Sequence, residues 1–158
     1  MDADRIIRQQ LVNLLSVRQA HMGFEDAVKD FPPEHINSRL PNAPYTFWHL
    51  LEHIRFCQRD IIDYILDPDY AAPEFPAGLW LDREATTDTA GWQRTIDAFL
   101  ADREELVELV QDPATDLYAP ILHGWDGHNI LRELLIVADH NAYHVGELGG
   151  VRQIMGLW

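Results

Sequence analysis

Apolar residues recur along this chain at spacings of three and four. The strict alternation of a half-buried strand does not occur. Ile6, Ile7, Leu11, Leu14, Leu15 and Val17 form a stripe that predicts a first helix from about Asp4 to Phe31, ended by Phe31-Pro32-Pro33. Pro41 and Pro44 mark a turn, and Thr46 is a plausible cap for a second helix reaching about Leu66. That helix buries Phe47, Leu50, Leu51, Ile54, Ile61 and Ile65. Residues 67–86 carry three prolines and little periodicity, which predicts a long irregular connection of the kind that often serves as a lid or binding loop. Phe75, Leu79, Trp80 and Leu81 suggest that it is packed. A third helix is expected from Asp88 or Thr89 to Gln111, stopped by Asp112-Pro113, on the stripe Trp92, Ile96, Phe99, Leu100, Leu106, Val107 and Val110. A turn-rich loop then leads to a last helix, Asn129 to Ile154, with Asn129 as its cap.

Four such helices without a strand pattern predict an all-α fold, a four-helix bundle, as one domain over residues 1–158. The connection between the first two helices makes them antiparallel neighbours, whereas the two later connections permit crossovers. In the last helix, Leu131, Leu135, Ala142 and Gly149 lie on the side away from the main apolar arc. This helix therefore needs two partners, one of which is expected to be a second copy of the chain.

Composition narrows the function. The chain has 158 residues, almost half of them apolar, and a net charge of −14. That charge argues against nucleic acid and anionic membrane surfaces as partners. A single cysteine excludes an internal disulfide framework and suits a reducing compartment. No apolar run is long enough for a membrane span, and MDADRIIRQQ lacks the apolar core of a signal peptide. A cytoplasmic location is expected.

Chemistry concentrates in two helices. His140 and His144 are one turn apart, so their imidazoles project side by side. At about 100° per residue, His144 falls within the inward arc of the last helix and His140 on its shoulder. In the second helix His53 borders the apolar arc, in mirror correspondence to His140. His49 is turned about 40° further out and is expected at the rim or behind the ligands. His53, His140 and His144 thus form a workable trio across facing helices. Three imidazoles with an open fourth position suit zinc, and also nickel, iron, copper or manganese. The bland alternative is a set of histidines hydrogen-bonded inside a bundle. A di-iron carboxylate centre is excluded, because it needs Glu-x-x-His on two helices and none occurs.

Other residues carry weaker signals. Cys57 lies one turn after His53 and points inwards, where a free cysteine is usually a small hydrophobe. Glu147, one turn beyond His144, could hold a ligand imidazole, bind metal or act as a base, and a solvated Glu147 fits equally well. Glu133, about 10 Å from His140 along the helix, suits a pocket mouth, as do the loop histidines His123 and His128. His21 and His35 read as ordinary surface or packing histidines.

The segments ADHNAYHVGELGGVRQIMGLW, from Ala138 to Trp158, and WHLLEHIRFCQRDI, from Trp48 to Ile61, resemble the DinB-like superfamily of four-helix-bundle metalloenzymes. GWDGHNILREL is similar to that family's glycine-rich lead-in, with His128-Asn129 standing where relatives commonly carry Gln-Thr. The resemblance implies a left-handed bundle in up-down-down-up order, frequent homodimers, and a divalent ion on His53, His140 and His144. Characterised relatives include transferases and isomerases that use the metal to activate a low-molecular-weight thiol. Two further readings stand beside that one: metal-assisted hydrolysis, and a non-catalytic, stress-related dimer whose metal is structural.

Overall fold

The structure, a computed structural model, describes residues 3–39 and 42–158. Pro41, with Met1 and Asp2 of the N-terminal reading, lies outside them. Among the described residues the fold is all-helical, with two isolated β-bridges and no named strand. The helices are α1 (Ala3–Ser16), α2 (Phe24–Val28), α3 (Phe47–Leu66), α4 (Thr89–Gln111) and α5 (Ile130–Ile154). Short 3₁₀ turns occupy Pro33–His35 and Ala77–Leu79. The expected caps form: Thr46, Asp88 and Asn129 accept hydrogen bonds from the backbone N–H of His49, Gly91 and Arg132.

The first helix departs from expectation. Instead of running to Phe31 it stops at Ser16, and α2 begins only at Phe24. A helix from Asp4 to Phe31 would be about 42 Å long, against about 30 Å for α3, and would overrun the bundle. The apolar stripe also lapses after Val17, where Arg18, Gln19, Ala20 and His21 are exposed. Breaking the helix there lets the chain turn Phe24, Ala27 and Phe31 into the core. Phe24 stacks on Phe99 at 3.9 Å between ring centroids, and Phe31 meets Phe47 and Trp92.

Two core clusters give the order of the helices. One joins α2 and the N-terminal halves of α3 and α4 to the C-terminal part of α5, through Phe47, Leu50, Phe99 and Leu148. The other joins Leu11 of α1 and the C-terminal ends of α3 and α4 to the start of α5, through Ile62, Leu106, Val110 and Leu134. Helices α3 and α4 therefore run parallel, with α1 and α5 opposed to them: up, down, down, up. The principal neighbour of α1 is α4, with a smaller contact to α5, rather than α3 as the sequence suggested. The segment between α1 and α3 holds α2 and a 3₁₀ turn, and is long enough to carry the chain across the bundle. The back of α5 is largely covered within the chain. Leu131 packs on the second cluster, and Ala142 lines a small cavity with α1 residues. A Cβ on Gly149 would meet the Met22 sulfur at 3.0 Å. Leu135 stays exposed.

Among the described residues no helix is long and apolar enough to cross a membrane.

Candidate metal centre

The phase argument places three imidazoles on one inward patch of α3 and α5, and there they meet. His53 Nε2 and His140 Nε2 are 3.3 Å apart. The His144 ring centroid is 4.8 Å from that of His53 and 4.5 Å from that of His140. Two of the rings are fixed from behind. His53 Nδ1 donates to the Leu79 carbonyl at 2.8 Å, which leaves its Nε2 lone pair turned to His140. His144 Nδ1 donates to the Glu147 carboxylate at 2.8 Å. Glu147 also accepts a hydrogen bond from the Tyr45 hydroxyl. His140 Nδ1 is buried without a partner.

Burial, first, and then the neighbouring imidazoles push the pKa of His140 down to about 4. The His53 pKa is lowered as well, again mainly by burial. Both rings are neutral at pH 7, the form in which imidazole binds metal.

Cys57 contributes more than its sequence context suggested. It is buried, its sulfur lies 3.5 Å from His53 Nδ1, and the donor atoms of His53, Cys57 and His140 all lie within 4.8 Å of one another. Burial holds its thiol pKa up at about 12, with Asp60 adding to the rise. It is a thiol in the absence of a cation beside it.

The connection between α3 and α4 covers this patch. Trp80 lies flat on the His53 ring, 3.9 Å away and tilted by 7°, and Tyr45 stacks on Trp80 at 4.9 Å. Leu79, Trp80 and Leu81 are packed as expected, but Phe75 is 83% exposed. Burial, reinforced by Glu147, raises the Tyr45 hydroxyl to about 12, so it stays a donor.

His49 behaves differently from His53. It is 2% exposed, not at the rim, and its Nε2 bonds the Ala85 carbonyl at 2.8 Å. It anchors the loop and stays off the imidazole cluster. Glu133, His123 and His128 are not brought to the histidines either. Glu133 is buried and held by Arg132 and His128, and His128 and His123 bond the hydroxyl and carbonyl of Tyr64. Tyr64 is eleven residues beyond His53 on α3, about 16 Å along the axis, so this group is a separate polar knot near the far end of the bundle. Its polar partners join a loop to two helices. Among the described residues, the hydrogen-bond partners of the His21 and His35 rings are local, the Met22 carbonyl and the Ser38 hydroxyl.

From the sequence, Leu79 and Trp80 have a packing role only and Tyr45 has none, so their part in holding the imidazoles is not foreseen. Tyr45 sits just before a cap. Leu79 acts through its carbonyl, which no side-chain pattern reveals.

No curated protein and no solved structure matches the chain significantly. A family model described as the DinB superfamily matches residues 16–148, a span that holds α2, α3, α4, the connection over the histidines and all three imidazoles. With that match over most of its length, and an all-helical bundle to go with it, the chain belongs to the DinB superfamily.

Proposed function

We propose that the protein is a metal-dependent enzyme that holds a divalent ion on His53, His140 and His144, with thiol-dependent transfer or isomerisation as its leading reaction type. The observation that carries this reading is the convergence of three imidazole rings, two of which are already fixed through their other nitrogen. Ligating histidines typically donate their other N–H to a carbonyl or carboxylate, and His53 and His144 do so. The 3.3 Å between the two Nε2 atoms is close to the edge of about 3.4 Å that two nitrogens about 2.1 Å from a tetrahedral ion would span. Without a cation or a shared proton, lone pairs at that separation repel. An ion there supplies positive charge that acidifies a thiol or a water presented to it. The chain's own residues orient the donors: the Leu79 carbonyl and Glu147 fix the two rings, Tyr45 fixes Glu147, and Trp80 keeps water off one face of His53.

Cys57 favours a second reading. A sulfur this close to His53 and His140 could close a four-donor shell, as structural zinc sites have, and leave no open position. Metal analysis of protein purified without added metal separates the two. The enzymatic reading expects about one ion per chain, lost in His53→Ala, His140→Ala and His144→Ala and kept in Cys57→Ser. Full metal retention in any two of the histidine variants overturns it, and loss in Cys57→Ser favours the closed shell.

We also propose a homodimer. Its surface would be the outward face of α5, where Ile136, Tyr143 and Ile154 are exposed and Gly146 and Gly150 have nothing within 4 Å of a Cβ.

A further inference from the structure

A cleft of about 360 Å³ lies beside the histidines, lined by Pro44, Tyr45, His49, Trp80, Leu81 and Arg83, and its lining is mostly apolar. Two of its walls touch the centre directly. Trp80 stacks on His53, and Tyr45 bonds the carboxylate that holds His144. A smaller cavity of about 70 Å³, which includes His53, lies against the same Trp80 and Leu81. The cleft and the imidazoles are thus separated by one aromatic ring.

The cleft is built rather than incidental. Arg39 donates to the carbonyls of Pro44 and Arg83, both at 2.7 Å, and so ties its two walls together. Asn37 and Thr87 exchange two hydrogen bonds, at 2.7 and 3.0 Å, and His49 bonds Ala85. Such preorganisation removes much of the ordering cost of binding. The volume is that of a small-molecule site, and the ring surface that Tyr45 and Trp80 leave open to it, with Pro44 and Leu81, suits an apolar body of aromatic size.

Arg83 supplies the polar element. It is the one charged residue in the lining, its side chain is 72% exposed, and its nearest carboxylate, Glu84, is 3.7 Å away and also pairs with Arg39 at 3.2 Å. A guanidinium of this kind reads a carboxylate through paired N–H donors. A polyanion would meet the repulsion of a chain carrying a net charge of −14.

We propose that this cleft binds the body of the substrate, and that the substrate is a small, flat, aromatic monocarboxylate whose acid group faces Arg83. The proposal rests on the histidines being the reaction centre. The probe is 2-naphthoate, with neutral 2-naphthylmethanol beside it, added to the full chain while the indole N–H resonance of Trp80 is followed. The assignment comes from its loss in Trp80→Phe. Naphthoate is expected to shift that resonance saturably, with a Kd below about 1 mM. Arg83→Gln, at an exposed position, should weaken naphthoate by about five- to tenfold and leave the alcohol unchanged. Saturable binding that leaves the Trp80 resonance unmoved overturns the proposal. So do equal affinities for acid and alcohol, or an Arg83→Gln variant that binds naphthoate like the wild type. His140 does not line the cleft, so His140→Ala should bind naphthoate normally even if it takes up no metal. Failure of the metal reading and failure of the cleft therefore give different results.

Discussion

At the scale of single residues, helical phase placed His53, His140 and His144 together, because an apolar arc reports which way a side chain points. It could not report what a loop brings to the arc. Phase turns His49 off the ligand patch, towards the rim or behind the ligands, and it is the Ala85 carbonyl, invisible to phase, that holds it buried. His49→Ala should keep its metal and lose about 1–3 kcal/mol of stability through the unpaired carbonyl, measurable by urea denaturation. His140 gives a pH prediction. Unfolded it titrates at its ordinary value of 6.5, and folded at about 4. Above pH 6.5 neither state is protonated and the group costs nothing. As pH falls from 6.5 towards about 4 the unfolded chain takes the proton first, so stability drops across that window. Metal-free protein should show urea midpoints that decline over this range, more steeply in the wild type than in His140→Asn. Equal slopes would contradict the depressed pKa.

Among the elements, α3, α4 and α5 were legible almost to the residue, since each has a polar cap at its start and a proline, a cap or a lapse of pattern at its end. The first helix was not, because residues 17–23 hold no proline and only a lapse of the apolar stripe and Gly23 mark the break, which the length of the bundle then requires. Two arginines hold helix ends, one of them the end of α2. Arg152 of α5 donates to the carbonyls of Ala27, Lys29 and Asp30 at and beyond the end of α2, and to Leu157. Arg8 of α1 likewise bonds Val110, Asp112 and Thr115 at the end of α4. Cations belong at helix C-termini, and these also satisfy carbonyls that the helices leave free. Arg152→Met keeps much of the side-chain volume but orphans four carbonyls. It should cost about 2–4 kcal/mol and loosen α2 first, seen as faster amide exchange in Phe24–Val28 than in α3.

For the whole molecule, the −14 charge is a self-repulsion that salt screens. Raising ionic strength from about 0.05 to about 0.5 M should raise the melting temperature, and no change would mean that the charges are already paired or well spread. Sedimentation at tens of micromolar should show a dimer, and Gly150→Trp should return it to monomer; a wild-type monomer refutes the proposed α5 face. The path of the chain carries one more consequence. Because α3 and α4 run parallel, a tight turn cannot join them. Residues 67–88 must travel back about the full 30 Å of α3, and the return route passes over the imidazoles. The same strand of chain is thus a compulsory tether and the wall of the cleft. Substitutions at its inward-facing positions can change which molecule is admitted while the bundle, the caps and the histidines stay as they are. Deleting it would break the topology itself. Variation among relatives in what they accept should therefore collect in this return segment, and transplanting it between two of them should carry the preference with it.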